Sequence, residues 1–183
     1  MKKTIQRAFA SISLVPLLML TPVEASETKP IVSASDAPII RLWPIERVGG
    51  EANRLKEQYR DRRGRKQLCG ILDPNLTVYQ VKSDTATPAV VYCPGGAYMV
   101  LGLPSEKDIK NWHDLGITVF VLKYTIPDKP DAAFKDVQRA VRLVRHQASK
   151  WNIDPNKIGL FGNSAGGHLS ARLTQNYDQK VYQ

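Results

Sequence analysis

Cysteine, histidine and methionine are scarce in this chain: 183 residues hold 2 Cys, 3 His and 3 Met. Two cysteines cannot build the multi-bridge framework with which small secreted domains replace a core. The 12 Gly and 12 Pro follow no collagen-like period, and no internal repeat is visible. The apolar run over residues 8–20 is broken by Pro16 and is shorter than the roughly 20 residues a membrane-spanning helix needs. Acidic residues are also in deficit, 17 against 26 Lys plus Arg, for a net charge of +9. A hydrophobic content of 43% excludes a disordered chain, and the length suits one domain with a core.

The N-terminus reads as a targeting segment. Lys2, Lys3 and Arg7 precede the apolar run, and small or apolar residues stand at the two positions a signal peptidase reads before Ser26. This layout predicts a signal peptide over residues 1–25, cleavage after Ala25, and a secreted or periplasmic protein with no stable membrane anchor afterwards. The alternative is an uncleaved anchor. A lipid anchor lacks the cysteine it would need near the cut.

Much of the basic excess lies between Arg54 and Lys66, where Arg54, Lys56, Arg60, Arg62, Arg63, Arg65 and Lys66 outweigh Glu57 and Asp61. Such a run can bind nucleic acid or an acidic polymer. No aromatic stacking pattern accompanies it, and export removes the protein from nucleic acid, so the expectation is a solvated surface segment and no nucleic-acid partner. Cys69 and Cys93 would meet an oxidising compartment, and their spacing permits a bridge. Cys93 ends an apolar run, where a thiol packs as a small hydrophobe, and two free thiols are the favoured reading.

Hydrophobic periodicity then sets the elements. Residues 26–50 read as a linker or wrapping segment anchored by Leu42-Trp43-Pro44. Residues 76–81 alternate like a strand with one solvated face, whereas 88–93 form a continuous apolar run, as in a strand buried on both faces. A helix is expected over 104–115, with Ser105 as its N-cap and Gly116 as its stop, followed by a strand at 117–123. Phe134, Val137, Val141, Val144, Ala148 and Trp151 step by three and four and mark a helix over 131–151. A buried strand at 157–161, central in the whole fold but left on an edge in this chain, and a helix at 166–176 follow. Strands alternating with helices predict an α/β fold: a doubly wound, mostly parallel sheet with helices on both faces. The expected division is residues 1–25 as signal, 26–75 as wrapping segment and basic loop, and 76–183 as the α/β domain.

One motif carries chemistry. Directly after the last expected strand stands Gly162-Asn163-Ser164-Ala165-Gly166-Gly167, a G-x-S-x-G turn between strand and helix. Such a turn holds its serine at a strained angle, so Gly162 and Gly166 fill flanking positions where side chains would collide. Ser164 is the candidate nucleophile, and the Ala165 amide faces the place where a tetrahedral oxyanion would form. After the earlier buried strand comes Cys93-Pro94-Gly95-Gly96-Ala97-Tyr98, a small-residue loop whose Gly96 and Ala97 amides can serve the same oxyanion. No metal or cofactor is implied.

In order, Leu42-Trp43-Pro44, Pro94-Gly-Gly-Ala-Tyr98, the segment from Asp136 to Arg145, Trp151-Asn-Ile-Asp-Pro155 and Gly162-Asn-Ser-Ala-Gly-Gly-His168 resemble the α/β-hydrolase esterases. The resemblance is to the exported bacterial branch grouped with acetyl xylan esterases and related carbohydrate esterases. It spans residues 40–175 and departs at Ala97, where glycine is commoner. It implies removal of acetyl or other short acyl groups from carbohydrate, with a small acyl ester or acetylated saccharide as partner.

A serine needs a histidine base and a carboxylate that orients it, and in this fold they follow in the order Ser, Asp or Glu, His. After Ser164 the chain offers only His168 and Asp178, in the reverse order. His168 is expected to pack or cap, His113 and His146 to lie at the surface, and Asp136 with Arg139 to form a structural pair. The triad acid and base are therefore expected outside this chain, which reads as the N-terminal portion of a longer esterase. The competing readings are an inactive or non-catalytic saccharide-binding relative and, third, a serine peptidase of the same fold.

Overall fold

The computed structural model describes residues 36–182 apart from 55 and 63. The expected signal segment therefore lies outside the described residues, among which no helix is long and apolar enough to cross a membrane.

Five strands form the main sheet: β1 (Ile39–Arg41), β4 (Asn75–Tyr79), β7 (Thr118–Lys123), β5 (Thr87–Cys93) and β8 (Ile153–Gly162), side by side in that order. β4 runs antiparallel to β1 and to β7, while β7, β5 and β8 are mutually parallel. A smaller sheet joins β2 (Gln58–Arg62), β3 (Arg65–Cys69) and the two-residue β6 (Leu101–Gly102). Four α-helices accompany the sheets: α1 (Glu51–Arg54), α2 (Glu106–Asp114), α3 (Pro130–His146) and α4 (Ala165–Gln175).

Helices cover both faces, as the alternation of elements predicts. Ile109 of α2 packs with Val90, Val119 and Val121 on one face. Phe134, Val137 and Val144 of α3 and Leu169 and Leu173 of α4 pack with Val91, Phe120 and Leu122 on the other. The two sets are alternate residues of the same strands, the reason β5 and β7 read as unbroken apolar runs. Ser105 caps α2 through a reciprocal capping box with Asp108.

Several expectations need correction. β4 has no solvated face: Asn75 and Thr77 are as buried as their apolar neighbours, because β1 and β7 flank the strand and α2 closes that side. β1 arises inside the expected linker, where Ile39–Arg41 pairs with Asn75–Thr77. The basic segment is a regular β-ribbon, since its charges hide an alternation that backbone pairing alone sustains. The long helix stops at His146, and Ala148–Trp151 continue as a 3-10 turn. The strand expected to be buried at 157–161 is part of β8, which pairs only with β5 among the described residues, the edge position expected of it in this chain, and has only Ile153 buried.

Asp136 and Arg139 do not pair with each other; both hold the N-terminal segment. Asp136 Oδ1 accepts from Trp43 Nε1 at 2.7 Å, and its Oδ2 accepts from the Thr125 amide at 2.8 Å and hydroxyl at 2.6 Å. Burial raises the Asp136 carboxyl above its ordinary range, against the lowering effect of these donors. Arg139 donates to the Leu42 carbonyl and lays its guanidinium over the Trp43 ring. Cys69 and Cys93 are free thiols, and burial pushes the Cys93 thiol up to about 12.

Candidate active site

The two loops singled out from sequence leave adjacent parallel strands at the same level. Cys93, the last residue of β5, pairs with Gly162, the last of β8, so Pro94 and Asn163 begin neighbouring loops at the carboxyl edge of the sheet. Gly95 is the point of contact. A Cβ there would lie 2.7 Å from the Asn163 carbonyl oxygen and 3.2 Å from Ser164 Cβ.

Ser164 sits between β8 and α4 with φ 51° and ψ −123°, a backbone state that costs a non-glycine residue on the order of 1–3 kcal/mol. Its surroundings impose that state. A Cβ on Gly162 would come within 2.3 Å of the Gly166 carbonyl oxygen, and one on Gly166 within 1.9 Å of the Cys93 carbonyl oxygen. The glycines thus let α4 start against β5 with no room for side chains, and the serine is turned outward. Ser164 is exposed, and its hydroxyl makes no hydrogen bond to any described residue.

The neighbouring loop is braced at many points. Its Pro94 carbonyl accepts from the buried Tyr124 hydroxyl at 2.7 Å, and burial raises that hydroxyl well above its ordinary range, so it stays a donor. The Gly95 amide donates to Asn163 Oδ1 at 3.1 Å, and the Gly95 carbonyl accepts from Gly102 at 2.9 Å. Ala97 and Tyr98 both take positive φ, 54° and 59°, which explains why glycine suits position 97 and what Ala97 must tolerate. Despite all this bracing, the amides of Gly96, Ala97 and Ala165 donate to no described residue. Three unspent N–H groups thus lie on the two loops that meet beside Ser164.

His168 packs, as expected of it, and adds a hydrogen bond to that contact. Its Nδ1 lies 2.9 Å from the Tyr98 hydroxyl, and the two rings meet edge to face. The Tyr98 carbonyl in turn accepts from the Asp128 amide at 2.8 Å. His168 therefore ties the first turn of α4 to the small-residue loop. His146 is exposed as expected, whereas His113 is half-buried with Nε2 3.2 Å from the Tyr79 carbonyl oxygen. Sequence reasoning missed Tyr98, Tyr124 and Asn163 as braces; their only signal is an aromatic or amide side chain flanking a strand end. No group of His, Cys, Asp and Glu able to hold a metal occurs among the described residues.

A mixed sheet with helices on both faces, and a serine turned outward between a parallel strand and its following helix, define the α/β-hydrolase class. The chain belongs to the BD-FAE family, whose model matches residues 76–182. The acetylxylan esterase of Xylanibacter ruminicola is 41% identical over 89 residues, which cover 47% of this chain and 18% of that protein. Endo-1,4-beta-xylanase B of Butyrivibrio fibrisolvens is 33% identical over 111 residues, 57% of this chain and 18% of its own length. Among solved structures, the acetyl ester-xyloside bifunctional hydrolase of Caldicellulosiruptor lactoaceticus superposes with a TM-score of 0.56 at 32% identity, over 74% of this chain and 45% of that one. The chain thus spans under a fifth of these curated relatives and under half of that solved structure.

Proposed function

We propose that this chain supplies the nucleophile half of a carboxylic ester hydrolase that removes acetyl or other short acyl groups from carbohydrate, xylan-type chains foremost. Ser164 attacks the ester carbonyl, and the amides of Gly96, Ala97 and Ala165 hold the oxyanion that develops. The reading rests on one observation above all: a strained, outward-turned serine is followed by, and its loop meets, three amides that donate to no described residue. The relatives named for acetylxylan and acetyl ester-xyloside hydrolysis support the acyl group and the sugar. The chain is exported, on the strength of its N-terminal pattern.

The base and its orienting acid come from residues beyond this stretch. His168 is engaged by Tyr98, and no described residue hydrogen-bonds the Ser164 hydroxyl. β8 has an open edge at which further strands would continue the sheet. By itself the chain is therefore a very slow enzyme, since losing the base costs on the order of a million-fold in turnover in a serine hydrolase.

The test compares p-nitrophenyl acetate hydrolysis by this chain, by a version lengthened with the reading frame that follows residue 183, and by Ser164→Ala of each. Ser164-dependent turnover in the longer form alone is expected. A downstream frame without Asp and His would sink this reading. It would favour the second one, a non-catalytic saccharide-binding relative, which the engagement of His168 by Tyr98 also supports.

A further inference from the structure

The stretch from Lys56 to Lys66 carries six cations against two acids. Both acids are engaged: Glu57 pairs with Lys123 at 3.1 Å, and Asp61 Oδ1 accepts from the Gly64 amide at 2.9 Å. Arg60, Arg62 and Lys66 are exposed and have no acidic partner among the described residues.

The register of the ribbon sorts these charges. Arg62 stands opposite Arg65, Arg60 opposite Gln67 and Gln58 opposite Cys69, and these positions share one face. The other face carries Tyr59, Asp61, Lys66 and Leu68; Leu68 is fully buried beside Leu101 of β6, while Tyr59, Asp61 and Lys66 are exposed. The face of Gln58, Arg60 and Arg62, which carries no buried residue on β2 and is the outward one, holds polar and cationic positions and no aromatic residue.

Position gives the ribbon its interest. β3 pairs with β6, and Gly102 of β6 donates to the Gly95 carbonyl at 2.9 Å. The same turn carries Gly96 and Ala97, so the ribbon is tied by backbone hydrogen bonds to the loop beside Ser164.

We propose that the outward face of the β2–β3 ribbon binds an anionic polysaccharide, one bearing carboxylate or sulfate groups, and holds it alongside the Ser164 loop. Guanidinium groups suit both anions, because their planar donor fork matches paired oxygens. Single-stranded nucleic acid is disfavoured, since the exposed ring of the ribbon, Tyr59, lies on the face opposite Arg60 and Arg62 and cannot stack a base beside them. The binding surface stands independently of ester chemistry; only its service to Ser164 rests on the esterase reading.

Affinity electrophoresis of the full chain tests this, with glucuronoxylan and dextran sulfate as probes, arabinoxylan and dextran as their neutral counterparts, and single- and double-stranded DNA as competing polyanions. Retardation by glucuronoxylan, dextran sulfate or both is expected, falling with salt and absent for the neutral polymers. Preference between the two identifies carboxylate or sulfate as the recognised group. Arg60→Gln with Arg62→Gln should weaken retention about tenfold without lowering the melting temperature, since each exposed ion contact is modest. Arg60→Lys with Arg62→Lys should keep more of it than the glutamine pair. Ser164→Ala should bind as the parent does, so a failed esterase reading leaves the result interpretable. Equal retention by neutral polymers, no retention by either anionic one, an unaffected glutamine pair, or DNA bound as tightly as polysaccharide would overturn the proposal.

Discussion

Glycine does opposite work in the two regions that flank the small-residue loop. At the elbow, Gly162 and Gly166 are required by what surrounds them: a Cβ on either would fall within 2.3 Å of backbone. At the tip of the basic ribbon, Gly64 takes φ +75° with nothing within 4 Å of where its Cβ would be. The first region is shaped by close contact between backbones, the second by local turn geometry and an excess of charge facing solvent. Chemistry that needs a serine held under strain belongs where packing over-determines the backbone. Recognition of a long, variable polymer belongs where nothing packs at all.

The sharpest way to break this contrast is one substitution made in both places. Gly166→Ala, driven into the Cys93 carbonyl, should cost more than about 3 kcal/mol or prevent folding, whereas Gly64→Ala should cost about 1 kcal/mol for its left-handed backbone alone. Chemical denaturation of both variants decides, and equal losses would dissolve the distinction.

Next in size is Asp136→Ala, which strips the acceptor from the buried donors of Trp43 and Thr125. About 3 kcal/mol of stability should be lost, again read by denaturant midpoint. A loss near zero would mean that the wrapping segment is held by other contacts.

A smaller effect belongs to the Tyr98–His168 contact, which spans 70 residues of sequence and is partly exposed. Tyr98→Phe and His168→Ala should each loosen the loop by at most about 1 kcal/mol, and the double variant by no more than either alone. Amide exchange at Asp128 and Gly102, which donate to the Tyr98 and Gly95 carbonyls, should quicken while that of Val78 in β4 stays unchanged. Additive losses would show that the two side chains act separately.

The smallest effect has the opposite sign. Arg62→Gln thins the exposed positive charge that Arg60, Arg62 and Lys66 leave without a described acidic partner, and should raise stability by about 0.5 kcal/mol at low salt, an increment that fades as salt is added. A stability loss of that size would instead point to an unrecognised role for Arg62 in the ribbon.

How much of this is legible from sequence follows the same division. The elbow is legible because its signals are local: a buried strand, a glycine either side of Ser164 and a helix all lie within about twenty residues. The helices of the α/β layer announce themselves by period, and Ser105 by its capping box with Asp108. What fails needs contacts distant in sequence. Ile39–Arg41 becomes a strand only because Asn75–Thr77 is there to pair with it. Asp136 looks like a partner for Arg139 one turn along the helix, yet its bond to Trp43 runs across 93 residues. His168 illustrates the limit best: its spacing from Ser164 predicts packing, but only the folded loop shows that Tyr98 is the residue it packs on.

Turnover of p-nitrophenyl acetate by the chain lengthened beyond residue 183, measured beside its Ser164→Ala variant, tests the central claim most directly. Hydrolysis that disappears with the serine, and that the 183-residue chain lacks, is the predicted result. Hydrolysis that survives Ser164→Ala would contradict it.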